Sequence, residues 1–238
     1  ILKYLWKGFF KMIKKLKVPI ILGTVIVSLL ATTIISNAAF TNPTSTNSDY
    51  DRDEAYSYMT DYTEDYNEDE YPYYSSDGDC TNFASQVLRA GGMDFTSRST
   101  CPTTNHWYYY YDSWGWGRTG TWTKAHQFRQ HWGDVNNQGL KRAYKMTNYT
   151  VSSALSNLST IRSAVKKGDI IQHTKYVGGQ TYHSQIVYSK PIGDITIANH
   201  SGIDGDAFES FEDFLQNRIN LGRSTDYVSV IQIKYGNW

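Results

Sequence analysis

Cys80 sits where a cysteine can act as a nucleophile. It follows a dense cluster of turn formers, Ser75-Ser76-Asp77-Gly78. Cys80, Phe83, Ala84, Val87 and Leu88 then keep the i, i+3, i+4, i+7, i+8 stripe of an amphipathic helix that Gly91-Gly92 can end. The thiol is therefore expected on the buried face, at the positive end of the helix, where unpaired N–H groups favour thiolate over thiol. Asp79 opposes that effect by its charge, unless its carboxylate is occupied in capping the same helix. Cys101, the other cysteine, precedes Pro102 in a polar loop with no helix or basic neighbour to activate it. A Cys80–Cys101 bridge would remove the nucleophile, but one pair in so large a domain is not a disulfide framework. A reactive thiol also needs a base within hydrogen-bond reach and a third group to orient that base. Six histidines are available for this.

A family pattern narrows the choice. Tyr50-x-Arg52-x-x-Ala55-x-x-Tyr58, then Asn67, Tyr71, Gly78-Asp79-Cys80-Thr81-Asn82-Phe83-x-Ser85-Gln86 and Gly91-Gly92, resembles the putative amidase domain of bacterial surface and spore-forming lineages. That domain is similar to papain-like cell-wall hydrolases, including NlpC-type endopeptidases and the cysteine, histidine-dependent amidohydrolase/peptidase domains. The resemblance runs from about Tyr50 to the C-terminus. It implies that Gly168-Asp169-Ile170-Ile171 opens one strand and that His183 begins the next. His183 is then the general base, taking the thiol proton and later protonating the leaving amine. The third group is expected on the following strand, where Asn199 and His200 face opposite sides. NlpC-type enzymes use a His at this place and papain an Asn. Ile195 and Ile197 share a face with Asn199 and should enter the core, which favours His200. The backbone N–H of Cys80 can stabilise an acyl oxyanion, and the resemblance adds an upstream tyrosine hydroxyl from Tyr71, Tyr73 or Tyr74. Asn82 and Gln86 read as supports of the cysteine turn.

The elements that must position these groups follow an α+β order. A tyrosine-rich helix is expected over residues 51–67, with Tyr56, Tyr62 and Tyr66 packing inward, and the cysteine helix follows it. Residues 93–121 read as an irregular aromatic insert. Thr123 can cap a helix reaching Trp132, and a short helix is expected near 152–158. Strands are expected at 170–173, 182–189, 194–200 and 227–235, with a helix near 211–216. Helices first and strands later describe a papain-like domain, its nucleophile-bearing helix packed on a largely antiparallel sheet.

The start of the chain reads as an address. Lys3, Lys7, Lys11, Lys14, Lys15 and Lys17 precede an apolar or small run, residues 18–35, with no charge before Asp49. This is a signal peptide or membrane anchor over residues 1–38, with Ser36-Asn37-Ala38 suited to cleavage. Residues 39–49 read as a polar tether and 50–238 as the catalytic domain. Either option places that domain outside the membrane, extracellular or at the cell surface. Removing the six leader lysines leaves 17 basic residues against 23 acids, a net charge near −6, which excludes a nucleic-acid binder.

Several patterns carry no function. Gly115-Trp116-Gly117-Arg118-Thr119-Gly120 satisfies G-x-G-x-x-G but lacks a βαβ unit around it. His126 and His131 are five apart and cannot chelate one metal from one helix face; no H-E-x-x-H or C-x-x-C is present, so no metal or other cofactor is expected. The aromatics Trp107, Tyr108, Tyr109, Tyr110, Tyr111, Trp114, Trp116 and Trp122 read as a local core over the cysteine helix, with sugar stacking the lesser alternative. The expected function is amide hydrolysis in peptidoglycan or its peptide stems through a Cys-His-(His/Asn) triad and an acyl-enzyme. Its rivals are a catalytically silent wall-binding module of the same fold and a transpeptidase or acyltransferase using the same residues.

Overall fold

The computed structural model describes residues 37–43, 47–74, 78–112, 115–200 and 206–235. The expected leader and apolar segment, and the turn formers Ser75 to Asp77, lie outside these residues. Among the described residues no helix is long and apolar enough to cross a membrane.

Seven strands make one sheet: β1 (Asn37–Thr41), β4 (Lys145–Thr150), β5 (Ile170–Thr174), β6 (Thr181–Ser189), β7 (Thr196–Ala198), β8 (Phe208–Ser210) and β9 (Tyr227–Gln232). Their order is β1-β4-β9-β5-β6-β7-β8, and every pair is antiparallel. The remaining pair, β2 (Tyr109–Asp112) and β3 (Gly115–Arg118), forms a separate hairpin inside the aromatic insert. The glycine-rich pattern thus begins on a hairpin strand. The helices are α1 (Arg52–Tyr62), α2 (Cys80–Ala90), α3 (Gly120–Thr123), α4 (Ala125–Trp132), α5 (Val151–Ser156), α6 (Leu158–Ala164) and α7 (Phe211–Asn220). This is an α+β fold, consistent with a general papain-like architecture.

Period-two alternation divides the strands between two cores. Ile170, Ile186, Ala198 and Ile231 pack with Phe83, Val87 and Leu88 of α2, Met59 of α1 and Phe128 of α4. Ile171, Val187, Ile197 and Val228 pack with Val151, Leu158 and the α7 residues Phe214 and Leu215 on the other face. The sheet is thus sandwiched between two helical layers.

Several expectations change, among them the Thr123 cap, since Lys124 precedes α4 and no side chain caps it. Asn37–Thr41, read as signal end and tether, is an edge strand paired with β4, and Asn42 Nδ2 continues the contact to the Lys141 carbonyl. α1 ends at Tyr62, not near 67, and Thr63 caps it, its hydroxyl and N–H both donating to the Met59 carbonyl. Tyr56 and Tyr62 are half-buried against the core as expected, while Tyr66 lies beyond the helix and is exposed. The strand β4 was missed: Lys145 to Thr150 mixes polar and apolar residues with no turn chemistry marking its start.

The residues ahead of α2 are tied to the start of β5. Asp51 caps α1, its Oδ1 accepting from the N–H groups of Asp53 and Glu54. Arg52 then crosses to Asp169 at 2.9 Å, with both side chains buried. The Tyr50 hydroxyl donates to the Gly168 carbonyl at 2.9 Å. Gly168 has φ of +79°, and a Cβ there would strike the Tyr50 hydroxyl, so both conformation and space demand glycine. Asp169 also accepts from the N–H groups of Lys166 and Ile233. Burial pushes its carboxyl pKa up, against the opposing pull of Arg52 and these amides.

Removing one partner of this pair strands a buried charge. Arg52→Met is expected to cost about 3–5 kcal/mol at neutral pH. The loss should shrink in acid, where Asp169 protonates. Urea unfolding of the variant at pH 7 and pH 5 measures both; an unchanged midpoint at pH 7 would show that the pair is not structural.

Candidate active site

Cys80 is the first residue of α2, buried, and not bridged to the exposed Cys101. It opens on a cavity of about 750 Å³ whose walls include Tyr74, Thr81, Arg118, Lys124, Thr181 and Tyr182. The Asp79 carboxylate does not cap α2. Its Oδ1 accepts from the Tyr74 N–H and from Asn82 Nδ2, and its Oδ2 lies 2.7 Å from His200 Nδ1. His200 Nε2 meets the Tyr62 carbonyl, and its ring stacks on Phe83 at 3.8 Å. Both ring nitrogens of His200 are thereby engaged, one at the start of α2 and the other at the end of α1.

The sulfur reaches β6 at one particular point. Its neighbours include the backbone N–H of Ser184, the residue after His183, and the Thr81 hydroxyl at 3.7 Å. Thr81 in turn bonds the Ser184 hydroxyl at 3.0 Å, and Gln172 Nε2 donates to that hydroxyl from β5. Val187 exchanges hydrogen bonds with Gly168 and Asp169 on the β5 side. By the alternation of an antiparallel ladder, Ser184 therefore directs its N–H to the opposite edge. β7 ends at Ala198, paired with Ile186, so that edge of β6 is open at Ser184. The sulfur lies at the gap, beside the plane of the sheet.

His183 projects to the α7 side. Its ring lies 5.8 Å from that of His173, which packs on Phe214 at 4.7 Å. Asn199 lies against the His183 ring and favours its protonated form. His183 Nε2 and Asn199 Oδ1 nevertheless have no completed hydrogen bond among the described residues. Of the two neighbours considered for orienting His183, Asn199 is beside it and His200 is on the other face with Asp79. The reason is register. Ile195 and Ile197 do enter the core, but His183 occupies the end of that same face. No hydrogen bond joins the Cys80 sulfur to the His183 imidazole.

Electrostatics run against the expected thiolate. Burial raises the Cys80 thiol pKa and the Asp79 charge raises it further, while the Ser184 and Thr81 groups pull it down; the rise wins. Burial, with Arg218 nearby, lowers the His183 pKa to about 4 despite Asn199. The resting site thus holds a neutral thiol and a neutral imidazole.

Among the three tyrosines, Tyr74 lines the cavity with Cys80, and its hydroxyl faces that of Tyr109. Tyr71 stacks on Trp122 and meets Tyr109 edge-on, and Tyr73 leans on Tyr66 at the surface. Asn82 also accepts from Trp122 Nε1 at 2.8 Å, and Gln86 accepts from the Tyr58 hydroxyl. The aromatic insert covers α2: Trp107 and Trp122 are fully buried, and Trp107 Nε1 donates to Ser85. The Tyr111, Trp114 and Trp116 side chains lie outside the description. His126 Nδ1 accepts from the Thr181 N–H, and His131 Nδ1 meets the Thr104 carbonyl. Among the described residues no group of three His, Cys, Asp or Glu is placed to hold a metal ion. Sequence reasoning missed Ser184, Gln172 and the basic wall of Arg118 and Lys124. Only the strand alternation beside His183 pointed to the first.

The chain belongs to the putative amidase domain family, whose profile matches residues 49–220. Searches of the curated proteins and of the solved structures give no match.

Burial has a consequence for stability. His131 and His183 have folded pKa values lowered from 6.5 to about 4, and His173 is lowered as well, each chiefly by burial. The unfolded chain takes up these protons first. The stability they allow is therefore complete above about pH 6.5 and lost as pH falls toward 4, by on the order of 3 kcal/mol for each fully expressed shift. Urea midpoints followed from pH 7 to pH 4 should fall steeply. A flat profile would mean that these rings take up protons in the folded protein at the same pH as in the unfolded chain.

Proposed function

We propose that this protein is an exported cysteine amidase or peptidase acting on amide bonds of peptidoglycan. The observation that carries the reading is the seat of Cys80. It is a helix-leading cysteine, opening on the cavity and resting against the backbone beside His183 at the open edge of β6. Family membership supports amide chemistry. The wall as substrate rests on the resemblance and on the basic, apolar start of the chain.

In this mechanism Cys80 attacks the amide carbonyl while His183 takes the thiol proton. The lowered imidazole pKa keeps His183 unprotonated and ready to accept it. Closing the gap between sulfur and imidazole falls to substrate binding, since hydrogen bonds of this kind commonly tighten only in the loaded site. The Cys80 N–H and the Tyr74 hydroxyl receive the oxyanion. The imidazolium then protonates the leaving amine, water attacks the acyl-enzyme, and Cys80 is released. Asn199 holds the ring of His183 in place.

A second reading has its own support. The raised thiol pKa and the missing sulfur–imidazole hydrogen bond suit a silent wall-binding module. Lysis of purified cell wall separates the two. Cys80→Ser and His183→Ala should abolish lysis with the fold intact by circular dichroism, and Asn199→Ala should lower kcat about 10- to 100-fold. Wild-type protein that binds wall without releasing fragments would establish the module instead. For the enzyme, kcat/KM should rise with pH through about 4, the His183 value, and stay level through neutrality. An acid limb near 6.5 would place the base elsewhere. Mass spectrometry of the released fragments names the bond cut and distinguishes hydrolysis from transfer to an amine.

A further inference from the structure

Two cations stand on the wall of the Cys80 cavity. Arg118 ends β3 and Lys124 precedes α4; both line the cavity and both are exposed. Among the described residues no aspartate or glutamate shares that lining. Neither cation forms an ion pair or a side-chain hydrogen bond with another described residue. The chain beyond the leader has the opposite balance, 17 basic residues against 23 acids. The cavity that holds the nucleophile is therefore a local reversal of charge, and such a cleft concentrates anions.

The wall is fixed relative to the cysteine. Arg118 and Lys124 flank α3, which is closed by the Trp122 N–H to the Thr119 carbonyl and the Lys124 N–H to the Gly120 carbonyl. The Lys124 carbonyl then accepts from the Phe128 N–H and so starts α4. α3 is fastened to α2 at two points. The buried Trp122 donates through Nε1 to Asn82 at 2.8 Å, and its carbonyl accepts from the Ser85 hydroxyl at 2.9 Å. The aromatic insert thus carries both cations to the cavity and holds them there.

Arg118 is also oriented at its tip. Its guanidinium lies over the Tyr74 ring, 4.7 Å from the ring centre. Stacking uses the face of the guanidinium and leaves its in-plane N–H groups for an anion. Tyr74 lines the same cavity, so an anion gripped by Arg118 sits close to the tyrosine assigned to the oxyanion. The anionic groups of a peptide are carboxylates, and a planar guanidinium matches a carboxylate through two parallel hydrogen bonds. Lys124 is a point charge on a flexible stem, which attracts without fixing an orientation.

We infer that Arg118 and Lys124 set substrate specificity, selecting peptides with a free carboxylate near the scissile amide. Arg118 grips the carboxylate and Lys124 draws it in. The substrate part rests on the proposed amidase reading; the binding preference does not depend on catalysis.

The test uses the full chain and two stem peptides that differ only in this group, free acid or carboxamide. Wild type should favour the acid about 10-fold in kcat/KM, the span of one charge-assisted hydrogen bond. Raising salt from about 0.05 to 0.5 M should shrink the preference, because exposed charges are screened. In Arg118→Gln the ratio should fall toward one, Arg118→Lys should recover part of it, and Lys124→Gln should lower it less. A disturbed fold or a displaced Tyr74 would slow both peptides together, so the ratio reports contact with the carboxylate itself. A wild-type ratio of one, or a full preference retained in Arg118→Gln, would overturn the assignment. Calorimetry with Cys80→Ser supplies the readout that needs no turnover. The acid should bind about 10-fold tighter than the carboxamide, and adding Arg118→Gln should remove the difference. Selective binding of the acid without cleavage by wild type would sink the enzyme reading and leave the selectivity standing. Equal cleavage of both peptides would do the reverse, and no binding of either at millimolar concentration would remove both.

Discussion

The carboxylate of Asp79 is where the separate parts of this site are joined. It takes a backbone N–H from Tyr74, the amide of Asn82 on the first turn of α2, and the imidazole of His200 beyond the end of β7. The two flanks of the cysteine turn and a residue 121 positions away therefore converge on one buried acid immediately before the cysteine. Partners of this kind are worth most when all are present, because a buried carboxylate left short of hydrogen bonds is costly. The sulfur inherits its position from that arrangement. Phe83 one turn later stacks on the same histidine, so the helix start is held by packing as well as by charge.

Burial is the main reason the helix terminus does not deliver a thiolate. The Asp79 charge, which is not spent on capping, adds to the same effect. On the opposite side of β6, burial and Arg218 work against positive charge on His183. Each group is driven to its neutral form, and the two shifts move apart. A thiolate–imidazolium pair is disfavoured from both ends.

The α+β class, the antiparallel sheet and the helix carrying Cys80 were legible because each has a strong local signature. Cys80, Phe83, Ala84, Val87 and Leu88 keep a helical stripe, and β5, β6, β7 and β9 are rich in β-branched residues. β1 was hidden because Asn37 to Thr41 has the composition of a tether and is a strand only through its pairing with β4. The distinction between Asn199 and His200 needed register. Alternation shows that they face opposite sides, but only the pairing of Ile186 with Ala198 shows which side holds His183. Arg218 was not singled out at all. An arginine near the end of an amphipathic helix looks like a favourable partner for the helix dipole, and only burial reveals that it lacks an acceptor.

The edge position of the sulfur also bears on how the two helical layers cooperate. α2 brings Cys80 from one layer, while His183 and Asn199 belong to the face covered by α7. A nucleophile above one face could not meet a base below the other, because a packed sheet separates them by its own thickness. Ending β7 at Ala198 removes that barrier locally and frees the Ser184 N–H, which the sulfur then takes up. For the proposed Cys80–His183 pair the short strand is therefore a requirement. Extending β7 by two residues would pair Ser184 with the chain beyond Ala198 and close this lateral route between thiol and imidazole.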